Sequence, residues 1–182
     1  AFRYAQDQPD VLTDINLQIA PGSMTALIGA SGSGKTTLVR LIARFFDASE
    51  GSVLVGGVDV RNLSSEQLAG QISQIFQDSY LFQGSIADNI RIGKPDATDA
   101  EVLDAARQAG VAEIIARLPQ GLATPVGEGG ARLSGGERQR IAIASALIKD
   151  APILLVDEAT AALDAENQAA IAEALARLRG KR

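Results

Sequence analysis

The chain has 182 residues, 46% of them hydrophobic and 21% charged, enough for one globular domain with a real core. It has no cysteine and no histidine, which excludes disulfides, thiolate nucleophiles, serine–histidine triads and His/Cys metal sites and leaves carboxylates, lysine and tyrosine as general bases. A formal net charge of −5 has the wrong sign for a protein that coats nucleic acid, and the chain alone reads as a soluble, mildly acidic domain.

In chain order, Val11–Ile19 alternates apolar and polar residues, the pattern of a half-exposed strand before the turn Pro21-Gly22. Met24–Ile28 is a compact apolar run that leads into a Gly/Ser-rich loop, and Lys35–Arg44 has helical character. Ser52–Val55 reads as a strand, Gly56-Gly57 as a hairpin turn and Ile72–Phe76 as a further strand. Short helical patches follow at Ile86–Ile90, Asp99–Ala109 and Val111–Leu118, separated by loops rich in Gly, Pro and Asp. Ile141–Ile148, the longest apolar-leaning stretch, is far too short to cross a bilayer and predicts a buried helix. Ile153–Val156 predicts a strand covered on both faces, and Ala165–Leu178 an amphipathic helix with a Glu173–Arg177 pair. Strands alternating with helices predict an α/β fold with a mainly parallel sheet.

Three motifs carry chemistry. Gly29-Ala-Ser-Gly-Ser-Gly34-Lys35-Thr36 fits G-x-x-x-x-G-K-[ST] between a predicted strand and a predicted helix. Its glycines let the backbone amides form a nest around a phosphate, Lys35 adds a charge between β- and γ-phosphates, and Thr36 offers a hydroxyl to Mg²⁺. The expected contacts to a nucleoside triphosphate are Gly29, Ser31, Gly32, Ser33, Gly34, Lys35, Thr36 and Thr37. Asp157-Glu158 closes the apolar strand, where carboxylates face the phosphate crevice of such sheets. Asp157 is the expected Mg²⁺ ligand. A free glutamate has a pKa of about 4.3, so Glu158 is expected ionised and able to orient the attacking water. Leu133-Ser134-Gly135-Gly136-Glu137 opens the buried helix. Its Ser134-x-x-Glu137 spacing is a capping box, and a capped helix start is also an anion site, so both readings hold together.

Together these residues resemble the nucleotide-binding domain of ABC (ATP-binding cassette) transporters over essentially the whole chain. Gly29–Thr36 resembles Walker A, Ile153–Glu158 Walker B and Leu133–Glu137 the family signature. Tyr4 resembles the aromatic that stacks on adenine. Gln77, in Ile-Phe-Gln-Asp, resembles the Q-loop glutamine that acts in catalysis and at the metal. Ala161-Ala162-Leu163-Asp164 resembles the D-loop. Thr124–Gly129 and Ser85–Ile90 resemble segments of exporters, the first of which touches the transmembrane partner. The resemblance implies a P-loop NTPase core with N-terminal antiparallel strands and an inserted α-helical subdomain. A single domain, 1–182, would divide into a core over 1–77, a helical subdomain over 78–136 and a signature, Walker B and D-loop segment over 137–182.

It also implies ATP and Mg²⁺ as ligands and a head-to-tail homo- or heterodimer of two such domains. Lys35, Thr36, Gln77, Asp157 and Glu158 would act in cis. Ser134, Gly135 and Gly136 would meet the γ-phosphate across the interface, and Asp164 would join the two sites. The transmembrane partner would be fused upstream or on a separate subunit, placing the domain at the cytoplasmic face of the membrane. The sequence departs from the pattern in ending at Lys181-Arg182, before the family's switch histidine, and in carrying Ala161 and Ser145 where Ser and Arg are common. From this the expectation is a truncated cassette that binds nucleotide and hydrolyses it weakly. The competing readings are a soluble ABC-type ATPase acting on DNA or ribosomes and a nucleotide-gated dimerisation module.

Overall fold

The computed structural model describes residues 1–76 and 79–157. It forms two compact units, one over Ala1–Ile72 and the other from Ser73 onward.

The first unit is built around helix α1, Lys35–Ile42, which buries Thr37, Val39 and Leu41. A small core of Phe2, Leu12 and Leu41, with Leu38 and Val53 against it, lies under that helix. Phe2 and Leu12 form an isolated antiparallel bridge. The predicted hairpin is present: β1, Leu54–Val55, pairs with β2, Val58–Asp59, through Gly56-Gly57. Both turn glycines have positive φ, 58° and 81°, the conformation that lets a two-residue turn follow the twist of its strands. Helix α2, Ser65–Gln71, follows; Ser64 and Gln67 close a capping box around its start.

Two predicted strands of this unit do not form. Of Val11–Ile19 only Leu12 is bridged, and Met24–Ile28 has no strand pairing. Ile15, Leu17 and Ile19 are exposed, as are Met24, Leu27 and Ile28. Alternation shows which side chains share a face, but a strand also needs a neighbour to receive its amides and carbonyls. Among the described residues no ladder is offered to either run. Helix α1 also ends earlier than the predicted Arg44, because Arg44 turns into the left-handed region at φ 56°.

The second unit is mostly helical. Strand β3, Ile72–Ile75, leads into it, followed by α3 (Ile86–Arg91), α4 (Asp99–Gln108), α5 (Ala112–Arg117), the 15-residue α6 (Gly135–Lys149) and β4 (Ile153–Val156). Helices α3 and α4 start at Ser85 and Thr98, each with a full capping box closed by Asp88 and Glu101. Ile75, Ile86, Ile90, Ile114, Ile141 and Ile143 are fully buried in one core, each stabilising the fold by roughly 1.5–3 kcal/mol. Helix α6 supplies Ile141, Ile143, Ala144, Ala146 and Leu147 to it, as its nearly all-round apolar character requires. Strand β4 pairs with β3, and the Asp157 amide donates to the Ile75 carbonyl at 3.0 Å. The Ser73 hydroxyl donates to the Ala146 carbonyl of α6 at 3.1 Å.

One expectation for β4 fails: it is not covered on both faces. Ile153, Leu154 and Leu155 are partly buried and Val156 is exposed, since β3 is its one strand neighbour among the described residues. The helix expected over Ala165–Leu178 lies outside the described residues.

Candidate nucleotide site

The Gly29–Thr36 motif lies in the first unit and leads directly into α1. Gly32 and Gly34 have φ 78° and 88°, and Gly34 is the N-cap residue in left-handed conformation. Gly34's φ of 88° calls for glycine, and a Cβ there would also make Leu12 Cδ2, 2.6 Å away, give way. No side chain caps α1 and its first turn contains no acidic residue. A glycine-started helix of this kind directs its positive dipole end toward the motif loop, the side from which an anion would approach. The Lys35 ammonium donates to the carbonyls of Gly29 at 3.1 Å and Ala30 at 2.9 Å, so it lies over the loop that contains the motif. Ser33 donates its amide to the Ala30 carbonyl at 3.2 Å, tightening the same turn that contains Ser31. Thr36 is half-buried and Thr37 is buried.

Tyr4 is joined to this element. Its hydroxyl and that of Thr37 share a hydrogen bond of 2.9 Å, and its ring lies edge-to-face with Phe2 and Phe46. Two residues that the sequence alone separates by 33 positions thus meet beside the start of α1.

The signature and Asp157 lie in the second unit. Ser134 Oγ accepts the Glu137 amide at 3.3 Å and the Glu137 carboxylate accepts the Ser134 amide at 2.8 Å, the capping box read from the sequence. Leu133 is buried in the core, and Arg138 donates to its carbonyl at 2.8 Å. Those two contacts fix the backbone from which Ser134 and Gly135 project, exposed. Arg117 of α5 donates to Glu137 at 3.0 Å. Burial works against the charge on Glu137, but the Ser134 amide and hydroxyl, with Arg117 and Arg140, outweigh it and hold the carboxyl below its ordinary value. Gly136 occupies the second position of α6. Asp157 follows β4 and is 8% exposed, so its carboxyl group is a buried acid at the end of an apolar strand. Gln77, Glu158 and Asp164 lie outside the described residues.

Sequence reasoning missed one feature. Tyr80 and Phe82, 63% and 60% exposed, pack edge-to-face at 5.5 Å, and Ile92 is exposed as well. Phe82 and Ile92 line a shallow cleft with Gln83, Asp88 and Asn89. The buried Asn89 side chain staples this loop to α3, receiving the Phe82 amide at 2.8 Å and donating to the Phe82 and Ser85 carbonyls, both at 2.9 Å. Thr124–Gly129 is knitted to the same segment: Val126 donates to Gly84, Ile86 to Thr124, and Gly129 lies against the Tyr80 ring. Exposed aromatics in a loop have no periodicity for a sequence reading to detect, although two aromatics flanking Leu81 were a cue.

The order of these motifs is matched by known proteins, for residues 12–161 fit the family described as ABC transporter. The chain belongs to that family. It is 54% identical over 169 residues, 93% of its length, to the mycobactin import ATP-binding/permease protein IrtB of Mycolicibacterium smegmatis, of which it spans 29%. It is 47% identical over 178 residues, 98% of its length, to the ATP-dependent lipid A-core flippase of Chromobacterium violaceum, of which it spans 30%. A solved bacterial Atm1-family ABC exporter with ATP bound superposes on all of it at a TM-score of 0.94 and 43% identity, the chain covering 32% of that structure. The α/β P-loop NTPase fold expected from the motifs is the fold of this ABC chain. It spans about three-tenths of the relatives it matches, and among its described residues no helix is long and apolar enough to cross a membrane.

Proposed function

We propose that this ABC chain is the ATP-binding and ATP-hydrolysing motor of an exporter-type transporter. The observation that carries the reading is the start of α1. It is a left-handed glycine N-cap with no side-chain cap and no acidic first turn, with Lys35 lying over the loop. Gly29, Ser31, Gly32, Ser33 and Gly34 then surround the β-phosphate, Lys35 neutralises it, and Thr37 and Tyr4 lie on the side of the nucleoside. Ser134, Gly135 and Gly136 of a second copy or a paralogous chain complete the site from across the interface, and Asp164 links the two halves. Gln77 and Glu158 position the attacking water. Catalysis in such a site is positioning and charge stabilisation around a loose phosphoryl group.

Mg²⁺ fits the donor set. It takes one or two carboxylates together with waters and substrate phosphates, and this chain offers the Thr36 hydroxyl, the buried Asp157 and Gln77. Among the described residues there is no cluster of three acidic or other ligating side chains that would hold an ion without nucleotide. When bound, the ion would neutralise phosphate oxygens of ATP.

The aromatic patch of Tyr80, Phe82 and Ile92, with the Thr124–Gly129 loop knitted beside it, supports a docking face for the transporter's own membrane-embedded portion. Two of the relatives are named as ATP-binding/permease proteins or flippases that are about three times longer than the chain. That partner would hold the motor at the cytoplasmic face of the membrane. The relatives' names include both an importer and a flippase, so the direction and cargo belong to the membrane portion.

The test is titration of the intact protein with MgATP and assay of phosphate release, beside Lys35→Ala. Saturable binding and turnover that Lys35→Ala removes are expected. ATP binding unaffected by that change would overturn the reading.

A further inference from the structure

We infer that Phe46, outside every motif of the nucleotide site, is a positioning residue that sets the Tyr4 ring as a preformed platform for a flat nucleobase. This rests on the proposed nucleotide site and adds a residue to it.

The end of α1 sets the geometry. Arg44 adopts φ 56°, a conformation that disfavours a residue with a Cβ by about 1–2 kcal/mol. Its guanidinium offsets that by donating to the carbonyls of Val60 and Leu63, both at 2.8 Å, and to Asp47 at 3.1 Å. The Phe45 amide returns to the Arg40 carbonyl at 2.9 Å. The chain is thereby reversed at a fixed point, and Phe46, two residues on, is directed at Tyr4. Their ring centroids lie 5.2 Å apart at 88°. Phe2 meets Tyr4 at 4.9 Å and 82° and Phe46 at 5.7 Å, so the three rings form one cluster. Phe2 is itself 3% exposed and pinned by its bridge to Leu12. The hydroxyl end is fixed by Thr37 at 2.9 Å.

Three contacts therefore define the ring's tilt, and both aromatic neighbours lie nearly perpendicular to it. Neither takes the parallel, offset position in which a heteroaromatic base stacks. Tyr4 remains 45% exposed, so a ring held in place is also accessible. An immobilised platform binds more tightly than a swinging one because its rotamer entropy is lost before the ligand arrives. Phe46, which is 40% exposed, is a poor candidate for a purely structural role.

The experiment compares ATP with inorganic tripolyphosphate, which has the phosphates and no base, as ligands of the intact protein by calorimetry. An edge-to-face aromatic contact supports roughly a three- to tenfold loss of ATP affinity in Phe46→Ala and Phe46→Leu, with tripolyphosphate affinity held within about twofold. Phe46→Leu keeps apolar bulk if the alanine variant folds poorly. Phe46→Tyr, which keeps a ring, should restore the wild-type ratio. In a Tyr4→Ala background Phe46→Ala should have no further effect, because its influence passes through the Tyr4 ring. Equal weakening of both ligands, no change in either, or a further loss in the Tyr4→Ala background would each overturn the inference. If the unaltered protein bound neither ligand, the nucleotide site would fall with it; if it bound both and Phe46 proved irrelevant, only this inference would fall.

Discussion

The starts of α1 and α6 are opposite solutions to one problem. Each helix leaves its first amides without intrahelical partners. At α6, Ser134 and Glu137 satisfy two of them reciprocally, as paired residues do at α2, α3 and α4. At α1, a left-handed glycine stands in the capping position and no side chain bonds back. Helix α5 also lacks a side-chain cap, but it starts from Val111 in right-handed conformation, without the glycine-lined loop. The two helix starts proposed to meet phosphate therefore differ in kind. One starts from a left-handed glycine with no side-chain cap, and the other is closed by its own serine and glutamate.

The comparison breaks first at Lys35. Lys35→Ala removes charge-assisted contacts to phosphate worth about 1.5–3 kcal/mol each, so ATP affinity should fall by roughly 1,000-fold when measured by calorimetry. A small loss would mean that the uncapped amides suffice alone. At the other end, Ser134→Asp separates the cap from the ligand contact. Aspartate caps as well as serine, so the denaturant midpoint should hold. A carboxylate facing phosphate should nevertheless lower ATP turnover by about 100-fold, since like charges brought together cost several kcal/mol. If stability and turnover fell together, the cap would be the whole role of Ser134.

Gly34→Ala sharpens the glycine side of the contrast. A Cβ there meets Leu12 at 2.6 Å with φ at 88°, so a loss of about 1–3 kcal/mol in urea unfolding is expected. The smallest effect is acid sensitivity at Glu137. Its folded-state pKa is depressed, so its contribution is present above the unfolded value and is lost as pH falls through the folded one. Glu137→Gln should flatten that acid limb of an unfolding-against-pH profile by lowering the neutral plateau slightly toward the acid value. An unchanged limb would assign the acid loss to other carboxylates such as Glu101, which Lys94 and the Thr98 cap hold at about 2.

The parts legible in the sequence are those in which one short stretch contains all the physics. The P-loop glycines, the Gly56-Gly57 hairpin and the Ser134–Glu137 box each specify a local geometry. So does the apolar character that buries α6. The Ser64–Gln67 box was equally local, yet α2 has Leu68 as its one buried residue, so no apolar stripe drew attention to it. The runs at Val11–Ile19 and Met24–Ile28 failed for the reverse reason, since a strand is a property of two segments and each reading had only one. The Tyr4–Thr37 bond and the Phe46 contact join residues far apart in sequence, and no spacing rule reaches them.

The Ser73 hydroxyl has a mechanical consequence. It ties β3 to the carbonyl of Ala146 in α6, while Ile75 receives the amide of Asp157. The signature helix, the buried acid and the strand that ends two residues before Gln77 are thus bolted at two points. One short strand holds both the helix that the signature opens and the acid that follows β4, each through a hydrogen bond.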